Sequence, residues 1–524
     1  MSEAISTAPL SSRIALLVHS HFDALPSRNK PSIFPDGSRE WIPMTGIVAV
    51  KGESTPSESL HCIAVTTGAK CLSASHIPRC RGLVLHDCHA EILALRAFNY
   101  WLLTECHGFL AEELDHSTTS HKSTGSENRS NSTSPFIRRR NRLEHERHAP
   151  ASIDWPPFEL QPDVKFYMYC TCAPCGDASM ELCMASQNDA TPWEVRRQTD
   201  LGPDAESAED NLLDGRAHFS LLGIVRRKPA RTDAESTRSK SCSDKIALRQ
   251  VSSLLSCETA RLVAPTVNAY LAGLILPEDE ISRVACDRSF GANGRMSPLV
   301  GRSWPDIKDE ESQIGFRFQP FDILSVSAEE VQALWPFAKP KSTADSESAS
   351  KKSKPGNVSA VWTAAPSYSH SCAISPDTES KTLPVLRRSE TGIYETLING
   401  VKQGNKASAP GARGASSLSR AKLWALLNDI VALRACHVSL EPGADQSQTH
   451  EARTLQQDFG TSLRALQNVN TYGDFKRAER QEGPLQVREE AIRDARKVLK
   501  GWVPNTGDED WGLDVLVDIK KRKR

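Results

Sequence analysis

No apolar run reaches the ~18 residues that a membrane-spanning helix needs. Residues 1–17 lack a basic flank followed by a long apolar stretch. Neither a span nor a secretory leader is therefore expected. Net charge is also nearly absent: 64 Lys and Arg against 65 Asp and Glu leave −1. That balance argues against a generally basic nucleic-acid coat and leaves room for a local basic groove. Hydrophobic residues are lean at 39%, as in a real core diluted by polar inserts. No internal repeat of fixed period occurs. The 14 cysteines of the 524 residues do not look like the framework of a secreted domain. Three crowd at Cys170, Cys172 and Cys175, which fits a metal site in a reducing compartment. An intracellular protein, of cytoplasm or nucleus, is the expectation.

The length allows two to four domains, or one large domain carrying inserts. Residues 1–35 read as an N-terminal extension or helix, residues 36–505 as one domain, and residues 506–524 as a basic tail ending in Lys520-Lys521-Arg522-Lys523-Arg524. Polar, low-complexity inserts are expected near 115–152, 199–216, 340–357 and 441–455. Within the domain, the β-branched runs at 46–50 and 62–65 read as a hairpin, and 164–169 and 221–225 as further strands. Helical spacing marks residues 87–104, 244–255, 421–435 and 487–502.

The residues that carry chemistry are His89-Ala90-Glu91 and, well downstream, Pro174-Cys175-Gly176. A His and a Glu two apart, followed by Pro-Cys, form the core of the zinc nucleobase-deaminase signature, in which His and Cys bind metal and Glu moves protons. Helical spacing puts His89 and Glu91 in the first turns of a helix, and Pro174 suits Cys175 to the start of another. The usual signature has a second Cys three residues after the first; here that position is Ala178. A catalytic zinc needs three protein ligands and one open position, so a third ligand must come from elsewhere.

Leu85-His86-Asp87-Cys88-His89-Ala90-Glu91-Ile92, Pro174-Cys175-Gly176-Asp177-Ala178 and Ser241-Cys242-Ser243-Asp244-Lys245-Ile246-Ala247 together resemble the adenosine-deaminase domain of the RNA-editing deaminases. Those are the double-stranded-RNA adenosine deaminases and the eukaryotic tRNA-specific adenosine deaminases acting on alanine tRNA. The resemblance spans about residues 40 to 505. It implies that His89, Cys175 and Cys242 bind one Zn2+ and that Glu91 shuttles protons. It implies that Thr67, Gly68 and Lys70 line the substrate pocket and that Lys228, in Arg226-Arg227-Lys228-Pro229-Ala230-Arg231, pairs with Asp87.

The resemblance also implies a buried inositol hexakisphosphate. Its ligands and the relay from it to the metal would be Asp87, Arg96, Lys228, Lys245, Arg249, Lys422, Tyr472, Lys476 and Trp502. A buried polyanion accounts for cations that a dry core would not tolerate. The chain departs from the family pattern at Leu248-Arg249, where Arg-Trp is common, at Leu95, where duplex-RNA editors often carry Arg, and at Lys240, where an apolar residue is usual.

The fold implied is α/β: a cytidine-deaminase-like three-layer α/β/α domain with a mixed central sheet and a helical C-terminal extension. No duplex-binding segment is evident ahead of residue 36, so tRNA is the expected partner. By resemblance the product is inosine at adenosine 37, beside the anticodon of alanine tRNA. An unpaired loop base costs less to extrude than a paired one. Arg138-Arg139-Arg140, Arg226-Arg227-Lys228 and the C-terminal run are candidate phosphate contacts. No obligate protein partner is evident. Editing of double-stranded RNA, an inactive RNA-binding deaminase-like protein, and a free-nucleoside or cytidine deaminase are the alternatives.

Overall fold

The computed structural model describes residues 8–120, 134–140, 156–185, 213–214, 222–228, 235–305, 314–340, 354–367, 391–439, 469–478 and 484–517. A mixed sheet of eight strands organises them. Its order is Asp322–Val326, Leu271–Pro277, Val164–Cys170, Met44–Lys51, Ser59–Thr67, Ser359–Ala364, Thr391–Ile398 and Val401–Lys402. The first three run parallel to one another and every other pairing is antiparallel.

The expected hairpin forms, with Ile47 opposite Ala64 and Gly46 opposite Val65. Its first strand is apolar on both faces because both are covered. Ile47 and Ala49 pack with Leu95, Phe98 and Trp101 of the long helix Ala90–Ser120. Met44, Val48 and Val50 pack with Ile14, Val18 and Phe22 of the helix Leu10–Asp23 on the opposite face. Each large side chain buried this way contributes about 1.5–3 kcal/mol. Helices Cys242–Ser252, Arg420–Ser439 and Pro484–Val498 extend the layer that contains Ala90–Ser120.

Several elements differ from their sequence expectation. Residues 87–89 are not helical: Asp87–His89 is a short strand paired with Ala69–Cys71, and the helix begins at Ala90. That helix runs on to Ser120, into the stretch expected to be an insert. Ile137–Arg139 is likewise a strand, paired with Phe158–Leu160 and anchored by the buried Phe136 and Ile137. Residues 222–225 form no strand; Val225 is buried and the adjacent pair Arg226–Arg227 is the strand instead. Arg420–Ser439 and Cys242–Ser252 match expected helices closely, while Pro484–Val498 stops short of Trp502. The cores of the inserts near 199–216, 340–357 and 441–455, and residues 520–524, lie outside the described residues.

The segments on either side of residues 36–505 pack on the same body, and the helix expected within residues 1–35 forms at Leu10–Asp23. Leu10–Asp23 is part of the folded block, because its apolar face closes one side of the sheet. Beyond residue 505 the chain stays packed. Asp508, only 4% exposed, accepts from Gly82 N at 2.9 Å, and its other oxygen lies 3.0 Å from His86 Nε2 and 3.3 Å from Arg420. Trp511 stacks on Tyr472 with ring centroids 4.7 Å apart.

Candidate active site

Three remote stretches of chain meet at the end of the sheet. The strand Asp87–His89 delivers His89, and Ala90 N donates to Gly68 O at 3.0 Å, so the helix carrying Glu91 starts against the Thr67-Gly68 corner. A Cβ on Gly68 would lie 1.9 Å from Cys88 O, and its φ of +155° is one that other residues rarely adopt. Thr67 is buried there and accepts from Ala360 N at 2.9 Å; Lys70 pairs through its backbone with Cys88.

Cys175 follows the strand Val164–Cys170 in a turn, two residues before the short 3-10 helix Asp177–Ser179, rather than in a first helical turn. Cys242 opens the helix Cys242–Ser252, capped by Ser241, whose Oγ accepts from Asp244 N at 3.1 Å. The serines around it lace the two cysteine segments together. Ser243 N donates to Cys175 O at 3.0 Å, and Ser243 Oγ donates to Pro174 O at 3.0 Å and accepts from Ala178 N at 3.1 Å. Gly176, at φ +106°, lets the turn press against Ser241, whose Oγ would sit 2.1 Å from an added Cβ.

One ligand atom each from His89, Cys175 and Cys242 lie within 4.8 Å of one another. His89 Nδ1 is 3.8 Å from Cys175 Sγ and 3.6 Å from Cys242 Sγ. Glu91, 3% exposed, borders them, with Oε2 buried and without a hydrogen-bond partner. Burial and the Cys175 sulfur push its carboxyl above the usual range. Cys175 is held well below the ordinary thiol range by its contact with Cys242, with Lys228 and His89 adding to this against the effect of burial. An imidazole and two thiols in this arrangement can hold a metal ion.

A buried charge network backs the site. Lys228 Nζ, 4% exposed, donates to Asp87 Oδ2 at 2.9 Å and to Cys242 Sγ at 3.2 Å. Lys245 and Ser239 also donate to Asp87, and Asp87 Oδ1 accepts from His89 N at 3.0 Å. Burial would raise the Asp87 carboxyl, but Lys228 and Lys245 outweigh it and hold it well below the usual carboxylate range. The expected Lys228–Asp87 pair is therefore formed. Ser239 and Cys71, the latter within 4.8 Å of Asp87 and His89, were not expected. Cys71 directly follows Lys70 in the pocket segment and was legible from that position, whereas Ser239 carried no signal.

Further in, cations gather with few counter-charges. Arg96 donates to Leu418 O, and Arg249 NH1 to Leu255 O at 2.9 Å. Burial and neighbouring Arg488 push Arg249 down to about 10; burial and Arg420 lower Arg96. Tyr472 and Lys476 lie at the same place, with Lys476 Nζ 5.9 Å from the Tyr472 ring centroid and 3.0 Å from Cys257 Sγ. Glu258 is the buried carboxylate among them, lowered by Lys476 against the effect of burial. Arg420 and Arg488 were missed: Arg420 sits two residues before the expected Lys422, and Arg488 stands in a highly charged helix without a motif. Lys422 is half-buried on the Arg420 helix. Trp502 lies elsewhere, against Lys240 and Arg496 at 5.4 and 5.9 Å.

Two of the expected RNA-contacting stretches are otherwise engaged. Arg138 pairs with Glu159, Arg139 with Glu113, and Arg140 is 7% exposed. Arg226 and Lys228 are 1% and 4% exposed, because residues 226–228 fold inward along residues 239–241.

The chain is 36% identical over 312 residues to "tRNA-specific adenosine deaminase 1" of Schizosaccharomyces pombe, covering 59% of this chain and 66% of that protein. It is 31% identical over 273 residues to the protein of the same name in Saccharomyces cerevisiae, covering 52% and 60%. Against "Double-stranded RNA-specific editase B2" of Rattus norvegicus it is 27% identical over 262 residues, covering 47% and 29%. The match thus spans less than two thirds of each relative's own length. Residues 64–134 and 148–375, more than half of the chain and inclusive of His89, Glu91, Cys175 and Cys242, match the adenosine-deaminase (editase) domain. The chain belongs to the adenosine-deaminase (editase) domain family.

Proposed function

We propose that the chain is a hydrolytic adenosine deaminase that forms inosine in tRNA, at adenosine 37 of alanine tRNA. The observation that carries this reading is the convergence of His89, Cys175 and Cys242 beside the buried Glu91. The names of the two yeast relatives favour tRNA over duplex RNA.

The donor set fits zinc, which takes Cys and His ligands in tetrahedral sites with one position left open for chemistry. His89, Cys175 and Cys242 would hold it, and when bound it would lower the pKa of water to about 7. The chain's own residues do the rest. Glu91 Oε2, buried and without a partner, takes one proton from the water as its oxygen bonds to the adenine C6 and gives it to the ring nitrogen, then carries the proton of the new hydroxyl to the amino group, which leaves as ammonia when the C6–N bond breaks. Lys228 donates to Cys242 Sγ and Cys242 N to Cys175 Sγ at 3.4 Å; the negative charge settles on Cys175, while burial and the Cys175 sulfur hold the Cys242 thiol well above the ordinary range, so Cys242 would lose its proton on binding the metal. Asp87 keeps Lys228 charged and aimed, despite burial. Thr67 and Gly68, at the corner where the Glu91 helix starts, would line the pocket for the base.

The cation cluster fits a buried polyanion such as inositol hexakisphosphate. Mutually repelling guanidiniums are held on carbonyl oxygens, with Glu258 among them and Asp508 against Arg420 as buried carboxylates. Arg96, Arg249, Tyr472 and Lys476, with Arg420 and Arg488, would hold its phosphates, and Lys245 would connect them to Asp87. Its contribution would be charge neutralisation within the core. The protein would act inside the cell, where alanine tRNA and such a polyphosphate are both available.

Purified protein incubated with unmodified alanine tRNA should yield inosine at one position, mapped by sequencing. Long duplex RNA should stay unedited under the same conditions. Inosine only in the duplex would transfer the assignment to the duplex editors, and none in either would remove it.

A further inference from the structure

Residues 32–40 form a small exposed hairpin ahead of the first sheet strand and outside the stretch that matches the family domain. Ile33 bridges Arg39, Phe34 N donates to Ser38 O at 2.8 Å, and Glu40 N donates to Ser32 O at 2.9 Å. The turn has internal uses for its acids: Asp36 Oδ1 accepts from Ser38 N and Glu40 Oε2 from Ser32 N, both at 3.0 Å. Its tip is apolar and faces water. Ile33 is 66% and Phe34 40% exposed, and Phe34 is the only exposed Phe, Tyr or Trp among the described residues.

The hairpin's base leads directly to the candidate active site. Trp41 pairs with the 354–356 segment, donating to Lys354 O at 2.9 Å and accepting from Gly356 N at 2.8 Å. That segment runs into Ala360, whose N–H donates to Thr67. Two residues after Trp41, Pro43 O accepts from Gly68 N at 3.1 Å. Lysines flank the same place: Lys339 Nζ lies 5.9 Å from the Trp41 ring centroid, and Lys339 and Lys354 are both exposed. An exposed ring with cations at its base, beside a pocket for a nucleobase, has the chemistry of a single-strand grip: rings stack bases and lysines meet phosphates.

We propose that this hairpin holds unpaired nucleotides of the substrate RNA next to the base being deaminated, with Phe34 as the stacking platform and Lys339 and Lys354 on the backbone. This rests on the RNA substrate proposed above and adds which nucleotides are held and by what.

The test is fluorescence anisotropy of the full chain with a labelled stem–loop RNA and with the same stem closed as a continuous duplex. The variants are Ile33→Ser/Phe34→Ala and Lys339→Glu/Lys354→Glu. The first should bind the stem–loop about tenfold more weakly, with duplex binding unchanged. The second should flatten the salt dependence, by ~0.7 in the log–log slope for each phosphate that is no longer neutralised. Unchanged stem–loop affinity in both variants, or an equal weakening on loop and duplex, overturns the proposal. So does a tip variant that keeps RNA affinity and converts a self-associating protein to monomer, which would make the tip an interface between copies. Inosine formation by the parent protein is scored separately. Hairpin-dependent loop binding without inosine would sink the deaminase reading alone, and inosine with hairpin-independent binding would sink this proposal alone.

Discussion

In the proposed chemistry, Glu91 and Cys242 occupy sites where one atom decides the outcome. Replacing Glu91 by Gln keeps volume and burial but removes the proton acceptor, so inosine formation should fall by about 1000-fold or more while bound metal stays at the parent level. Retained turnover would contradict its role as proton carrier. Cys242→Ala removes a sulfur that 0% exposure leaves no water to replace. Metal content per chain, measured by elemental analysis, should drop to near zero, and a full complement would exclude Cys242 as a ligand. Among the residues behind the site, Asp87 has the most partners. It accepts from Lys228, Lys245, Ser239 and the His89 backbone N–H, so these contacts fix the stretch of backbone that carries the imidazole.

At the scale of elements, the helix Leu10–Asp23 ties stability to pH. His19 and His21 are 1% and 6% exposed, and burial lowers each from 6.5 to about 4. The unfolded chain therefore takes up protons below about pH 6.5 that the folded chain refuses until about pH 4. Their share of stability is complete above 6.5 and drains away as pH falls between those values, at up to about 1.4 kcal/mol per pH unit for each. Glu105, raised to about 7 by burial, acts with the opposite sign between about 4.5 and 7, its share being lost as pH rises. A difference between two proteins that both keep Glu105 isolates the histidines. Urea midpoints of the parent and of His19→Gln/His21→Gln should converge as pH falls from 7 to 5, and a constant gap would show that the imidazoles do not titrate with folding.

At the scale of the molecule, the C-terminal half closes the structure over a charge-rich interior. Arg420–Ser439, Tyr472–Ala478 and Pro484–Val498 supply Arg420, Tyr472, Lys476 and Arg488 to the interior that Arg96 and Arg249 enter from the central helices. Guanidiniums that lower one another's pKa in a core destabilise it unless an anion joins them. Protein purified from cells should release an organic polyphosphate on denaturation, about one per chain by mass spectrometry. Arg249→Ala should lower both that amount and the soluble yield. Parent protein free of phosphate and fully stable would overturn the polyanion reading.

Local pattern was enough for the motif residues. A His and a Glu two apart, a Pro-Cys and a distant Ser-Cys-Ser-Asp-Lys could be read in order, as could the β-branched hairpin and the long helices, because period and ligand chemistry are properties of short stretches. Which turn each of these residues stands in was not available there. His89 is held in a strand by pairing with residues 69–71, which no window around residue 89 contains, and the helix could start only after it. The same holds for the three arginines at 138–140: in the chain they are a basic run, and only folding supplies Glu159 and Glu113 to pair two of them and burial for the third. Residues 506–517 read as the start of a tail because their few apolar groups lack a local period. Trp511 acquires its meaning from Tyr472, and Asp508 from Gly82, His86 and Arg420. The sequence by itself determined the motif residues and the family they point to, since those depend on residue type and order. Tertiary structure decided position, charge state and exposure, since those depend on neighbours hundreds of residues away.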